Sequence, residues 1–179
     1  AMLHPAKLAW GLARVCRELG VEIYEGTPVR ALTSTRDHVV LRSLDDAAHA
    51  IRVMQVRGAP LIGATAAYGL ALGLAEDAGD ARLQLVIETL AATRPTAVNL
   101  HWALGRMRRV LQESALATRR ERAWGEARAV AEEDKAANAA IGLYGLPLLQ
   151  GVRHPGRAIN VMTHCNAGRL ATVEHGTAI

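Results

Sequence analysis

The chain has 179 residues, half of them apolar, and carries a formal net charge of +4 in which arginine outweighs lysine. Such a length accommodates one or two domains with a real core, and no uninterrupted apolar run is long enough to span a bilayer. Cys16 and Cys165 stand far apart without CxxC spacing, which argues against a disulfide framework and for a reducing, cytoplasmic setting.

Ala1-Met2-Leu3-His4-Pro5 lacks the basic and then apolar run of a secretory signal. The spacing predicts a helix over 5–19, with Pro5 in its first turn, Leu8, Leu12, Val15, Cys16 and Leu19 on one face, and Gly20 at its end. Val21–Tyr24 alternates as a strand does, 25–28 is a turn, and His38-Val39-Val40-Leu41 reads as a further short strand. These forty or so residues are too few to stand alone. Ser43-Leu44-Asp45-Asp46 then opens a helix expected to reach about Gln55, with Ala47, Ile51 and Met54 facing inward. Val56–Pro60 interrupts it, and a helix rich in small residues follows from Ile62 to about Ala75, where Gly63, Ala67 and Gly69 permit close backbone approach. Further helices are expected over 81–92, 97–113 and 119–145. The segment 151–156 reads as a turn and Ile159–Thr163 as an apolar strand. That strand leads into His164-Cys165-Asn166-Ala167-Gly168, a loop that could open a helix at about Leu170.

Three segments carry chemistry. In Arg57-Gly58-Ala59-Pro60 a cation sits beside a glycine directly before a helix start, where free N–H groups and the helix dipole favour an anion. Arg94-Pro95-Thr96-Ala97 repeats the arrangement: an arginine, a proline-restricted turn, then a helix. Taken singly, each is more often a solvated turn; two in one helical region suggest a phosphate clamp. Cys165 follows an apolar strand, where ligand sites of α/β sheets lie, and a helix start beside it would lower its thiol pKa. The alternative is a buried structural cysteine. His164, Cys165 and His175 fit no usual zinc spacing, so no metal is expected. The arginines of 106–128 are interleaved with Glu113, Glu121 and Glu126 and read as a solvated helix face. Aromatics make up 3% of the chain and phenylalanine is absent, which weakens a base-stacking role, and no nucleic-acid or membrane partner is expected.

Taken in order, Ala50–Gly63, Arg94–Ala103 and Thr163–Gly168 resemble the methylthioribose-1-phosphate isomerases, members of the family that includes the regulatory subunits of translation initiation factor 2B. The resemblance runs from about residue 43 to the end. It implies that Arg57, Gly58, Ala59 and Arg94 hold a sugar phosphate and that Cys165 stabilises the transition state or takes part in proton transfer, with no cofactor. A ribose-1,5-bisphosphate isomerase and a non-catalytic regulatory module are the alternatives, with a FAD-dependent oxidoreductase as a more remote one, and a homodimer is left open. The implied fold is α/β overall: a mainly helical domain over 43–157 and, over 158–179, the first strand of a Rossmann-like domain. The family's aspartate acid, a substrate-binding glutamine and an Asn-Lys pair have no counterpart in this sequence, so the chain by itself is expected to be inactive. Arg169, Glu174 and His175 stand where the family more often has small or aromatic residues. Residues 1–42 instead look like an internal piece of a FAD-dependent amino-acid oxidase. The flavin-binding GxGxxG is missing, so no FAD is expected.

The two cysteines differ in their expected surroundings, one on the apolar face of an amphipathic helix and one beside a helix start. Cys165 is therefore predicted to react faster than Cys16 with iodoacetamide. Peptide mapping after brief alkylation of the folded protein checks this, and preferential labelling of Cys16 would refute it.

Overall fold

A computed structural model describes residues 40–152, 156, 162–163 and 168–177, all within one unit of the chain, residues 38–179. The expected helix at 5–19, the strand at 21–24 and both cysteines lie outside the described residues.

The first described helix, α1 (Leu44–Arg52), begins where its sequence dictates. The Ser43 side chain accepts from the Asp46 N–H, and the Asp46 carboxylate accepts in return from the Ser43 and Arg42 N–H groups, a complete capping box. These bonds, the one from the Arg42 N–H foremost, hold the Asp46 carboxyl below its ordinary pKa. The helix stops at Arg52, short of the expected Gln55. Met54 takes a left-handed conformation (φ 60°) and is 54% exposed, so it does not face inward. The Val56 N–H turns back to the Ala50 carbonyl at 3.1 Å, and Val56 is buried in place of Met54.

The helices α2 (Ala59–Gly73), α3 (Asp80–Ala91), α4 (Val98–Gln112) and α5 (Arg119–Gly151) follow. α2 is the centre: it packs against each of the other four, and ten of its residues are buried, on every side of the helix. Its glycines let the neighbours in. A Cβ at Gly69 would lie 2.7 Å from the Ala47 Cβ of α1. One at Gly73 would lie 2.8 Å from a Val86 methyl of α3, and one at Gly63 would lie 3.1 Å from the Asn99 carbonyl oxygen of α4. On the remaining side, Tyr68 meets Trp124 of α5 with ring centroids 6.0 Å apart. Leu70, Leu90, Leu100, Met107 and Leu111 are among the fully buried core residues.

α5 is longer than its sequence suggests, running through Pro147 to Gly151 instead of ending near 145. It buries Ala123, Ala127, Val130, Ala131 and Asn138, while Leu143, Tyr144, Leu146 and Leu148 nearer its end are exposed. The arginines read as a solvated face are in large part internal ties. Arg119 is 6% exposed and donates to the Ala78 carbonyl at 2.8 Å and to Asp80 at 2.7 Å, fixing the start of α5 to the start of α3. Arg120 donates to the Glu76 carbonyl and Arg108 to Gln84. Arg106 of α4 forks onto both carboxylate oxygens of Glu133, and its Nε reaches Glu126, both on α5.

The expected strands do not appear among the described residues. Val40 and Leu41, the described end of the segment expected as a strand over 38–41, form none, and neither do Met162 and Thr163 of 159–163, with Met162 88% exposed. Residues 38–39 and 159–161, the rest of those two segments, lie outside the described residues. In place of the helix expected near Leu170 there is a single 3₁₀ turn, Arg169–Ala171.

The Arg106 fork holds the Glu133 carboxyl below its ordinary 4.5 and pushes the guanidinium pKa up. A carboxyl whose folded pKa lies below its unfolded one contributes stability above the unfolded value and loses it as pH falls through the folded value. Glu133→Gln is therefore expected to be less stable than the unsubstituted protein above pH 4.5, with the gap closing as pH drops further. Thermal melts between roughly pH 2 and pH 6 check it, and a gap independent of pH would refute it.

Candidate functional site

Both arginine-led turns lie where the sequence places them, each ahead of a helix. Arg57 is exposed, and Gly58 is the N-cap of α2 with φ 97° and ψ 136°. Ala59 is the exposed first residue of that helix and Pro60 its second. Arg94 is half-buried in the turn that closes with the Ala97 N–H on the Arg94 carbonyl at 3.0 Å, immediately before α4. That turn is braced by His101, whose Nε2 lies 2.9 Å from the Pro95 carbonyl oxygen.

The two helix starts share a property that the other three described helices lack. α1 has its Ser43 cap and two acidic residues in its first turn. α3 begins with Asp80, and α5 carries Glu121 in its first turn. α2 and α4 have neither a side-chain cap nor an acidic residue there. Their leading N–H groups and the positive ends of their dipoles are left without a negative partner from their own first turns. An arginine stands before each.

α2 and α4 also meet, one turn into α2. Gly63 sits against the Asn99 carbonyl, and Pro60, Asn99 and Trp102 line one cavity of about 220 Å³ whose opposite wall is Val130, Glu133, Asp134 and Ala137 of α5. Trp102 is half exposed, with the Arg106 guanidinium 5.7 Å from its ring centroid. Glu133 is neutralised by Arg106, and Asp134 accepts from the Val173 N–H at 2.8 Å. The acidic wall is thus already engaged, while the helix starts across from it are not.

Residues 168–173, which follow the cysteine loop in sequence, come back to the start of α2. Ala171 is fully buried, and a Cβ on Gly58 would lie 2.7 Å from the Ala171 carbonyl oxygen and 2.5 Å from its Cβ. Cys165 itself lies outside the described residues.

Sequence reasoning missed Asn99, Trp102 and Asp134. Asp134 sits in a run, Glu132-Glu133-Asp134, that reads as solvent-facing. The signal was its register: Ala127, Val130, Ala131, Asp134 and Asn138 share one stripe of α5, and the other four are buried. Among the described residues no group of three His, Cys, Asp or Glu gathers as a metal site, and no helix is long and apolar enough to cross a membrane.

Known proteins share this architecture. The family model described as "Initiation factor 2 subunit family" matches residues 55–176, and a model described as "FAD dependent oxidoreductase" matches residues 1–95. The methylthioribose-1-phosphate isomerase of Dechloromonas aromatica is 59% identical over 142 residues, covering 79% of this chain and 39% of that protein. That of Methylorubrum populi is 57% identical, covering 78% and 38%. Among solved structures, 5-methylthioribose 1-phosphate isomerase from Pyrococcus horikoshii superposes with a TM-score of 0.64 at 40% identity, covering 75% of this chain and 38% of that one. The delta subunit of translation initiation factor eIF-2B from A. fulgidus gives 0.64 at 38% identity, covering 76% and 40%. The chain thus spans about two fifths of the length of the curated relatives it matches.

Gly58→Ala is predicted to destabilise the protein. The backbone conformation alone costs about 1–3 kcal/mol for a residue with a Cβ, and the Ala171 backbone has to move. Urea denaturation, compared with an exposed glycine such as Gly105→Ala, whose Cβ would meet nothing within 4 Å, checks it. Equal midpoints for the two variants would show that position 58 carries no such constraint.

Proposed function

The chain belongs to the Initiation factor 2 subunit family, and from that membership we propose that it provides the phosphate-gripping part of a methylthioribose-1-phosphate isomerase. The observation that carries this reading is the pair of arginine-led helix starts, uncapped and free of acidic residues, whose first turns line one cavity. An anion there would meet free N–H groups and two positive dipole ends; Arg57 and Arg94 precede those helix starts in the sequence but do not themselves line the cavity. The names of the relatives from Dechloromonas aromatica and Methylorubrum populi supply the substrate class.

The reaction explains why such a grip is needed. Methylthioribose 1-phosphate is an aldose locked as a ring by its C1 phosphate. It must open without a free aldehyde before hydrogen moves between C1 and C2 to give methylthioribulose 1-phosphate, a step of methionine salvage. Holding the phosphate fixes C1 and C2 against the groups that move protons and lets water be excluded. Arg57, the Gly58 and Ala59 backbone and Arg94 take the phosphate. Cys165 stabilises the transition state or moves the proton, a role that a lowered thiol pKa would suit. The helical domain over 43–157 would be followed by a Rossmann-like domain beginning with the strand at 159–163. A cytoplasmic location and a homodimer belong to the same reading.

The likeness to the A. fulgidus eIF-2B delta subunit favours a second reading, a regulatory module that binds a partner without turnover. Ligand binding separates the two. Arg57→Ala and Arg94→Ala are each expected to weaken methylthioribose 1-phosphate binding by about 1.5–3 kcal/mol, roughly 10- to 150-fold, the worth of a charge-assisted contact. Calorimetric titration is the measurement. Unchanged affinity in both variants would remove the clamp, and no binding to the unsubstituted chain would favour the regulatory reading.

A further inference from the structure

We propose that Asp134 is a positioning residue, whose carboxylate docks the segment 168–176 onto the helical bundle so that Ala171 closes over Gly58 at the start of α2. The segment has little structure of its own to hold it. It contains one 3₁₀ turn, in which the Ala171 N–H bonds to the Gly168 carbonyl at 2.9 Å, and a bend at His175 and Gly176 with φ 69° and 91°. Its attachment comes from α5. The Val173 N–H donates to Asp134 Oδ2 at 2.8 Å, and one residue on, Lys135 Nζ lies 3.9 Å from Glu174. Between these ties and Gly58, Ala171 is fully buried and Thr172 is 1% exposed, its hydroxyl donating to the Glu174 carbonyl at 3.1 Å.

The placement of Asp134 makes this more than a surface tie. The same residue lines the cavity onto which Pro60 and Asn99 open. One carboxylate therefore joins the wall across from the two uncapped helix starts to the backbone that covers Gly58. A charge-assisted bond to a backbone N–H is also the kind that is costly to lose where the neighbouring residues are buried. The consequence for ligand binding rests on the isomerase reading; the docking itself does not.

The test uses the full chain with Asp134→Ala and Asp134→Asn. Hydrogen exchange of residues 168–177 is measured beside that of α4, and methylthioribose 1-phosphate is titrated into each protein. Asp134→Ala is expected to speed exchange in the segment by about tenfold, leave α4 unchanged and weaken binding several-fold. Asp134→Asn keeps an oxygen that accepts from Val173 and is expected to restore both. Exchange unchanged in Asp134→Ala, or Asp134→Asn behaving as Asp134→Ala does, would overturn the docking role; faster exchange with unchanged affinity would overturn the positioning role. If Asp134→Ala fails to fold, Val173→Pro removes the donor from the other side and is judged by the same exchange. Failure of the unsubstituted chain to bind the sugar phosphate would count against the isomerase reading alone, and exchange would still decide the docking.

Discussion

Close approach of backbones around one central helix is the constraint on which the rest of the structure depends. α2 meets α1, α3 and α4 through Gly69, Gly73 and Gly63, three positions with no side chain to hold the neighbours off. Its remaining buried residues are mostly alanines. Packing of this kind draws on many short contacts, each small, that are lost steeply with separation. The fourth neighbour, α5, meets α2 through the larger Tyr68 and Trp124 rings. The first turns of α2 and α4 line one cavity because Gly63 lets the helices touch one turn from the start of α2.

The helical part of the fold was legible in the sequence because its punctuation is local. Ser43 with Asp46 announces α1, Pro60 sits in the first turn of α2, and Pro95 precedes α4. Helix ends were less legible. Met54 leaves the expected inward face because the chain turns after Arg52, and which of Met54 and Val56 is buried depends on that turn rather than on spacing. α5 passes through Pro147, a residue that normally stops a helix.

Of the candidate site, the two arginine-led turns could be read directly, since each is a short run of residues. What could not be read is the pairing of those runs with α5 and with residues 168–173. Asp134 and Val173 are 39 positions apart, and Arg106 and Glu133 are 27 apart. No local pattern states such a pairing. A charge run such as 132–134 looks solvated until a guanidinium from another helix and a backbone N–H from another segment occupy it.

The glycines of α2 also bear on how such a sequence can drift. Adding a methyl at Gly73 requires Val86 to shrink, and adding one at Gly69 requires Ala47 to give up its own, leaving a glycine inside α1. Val86 or Ala47 can lose methyls first, leaving a void, but neither glycine can gain one first. The route is therefore one-way: the position at 86 or 47 gives up volume, and only then does 73 or 69 have room for a side chain.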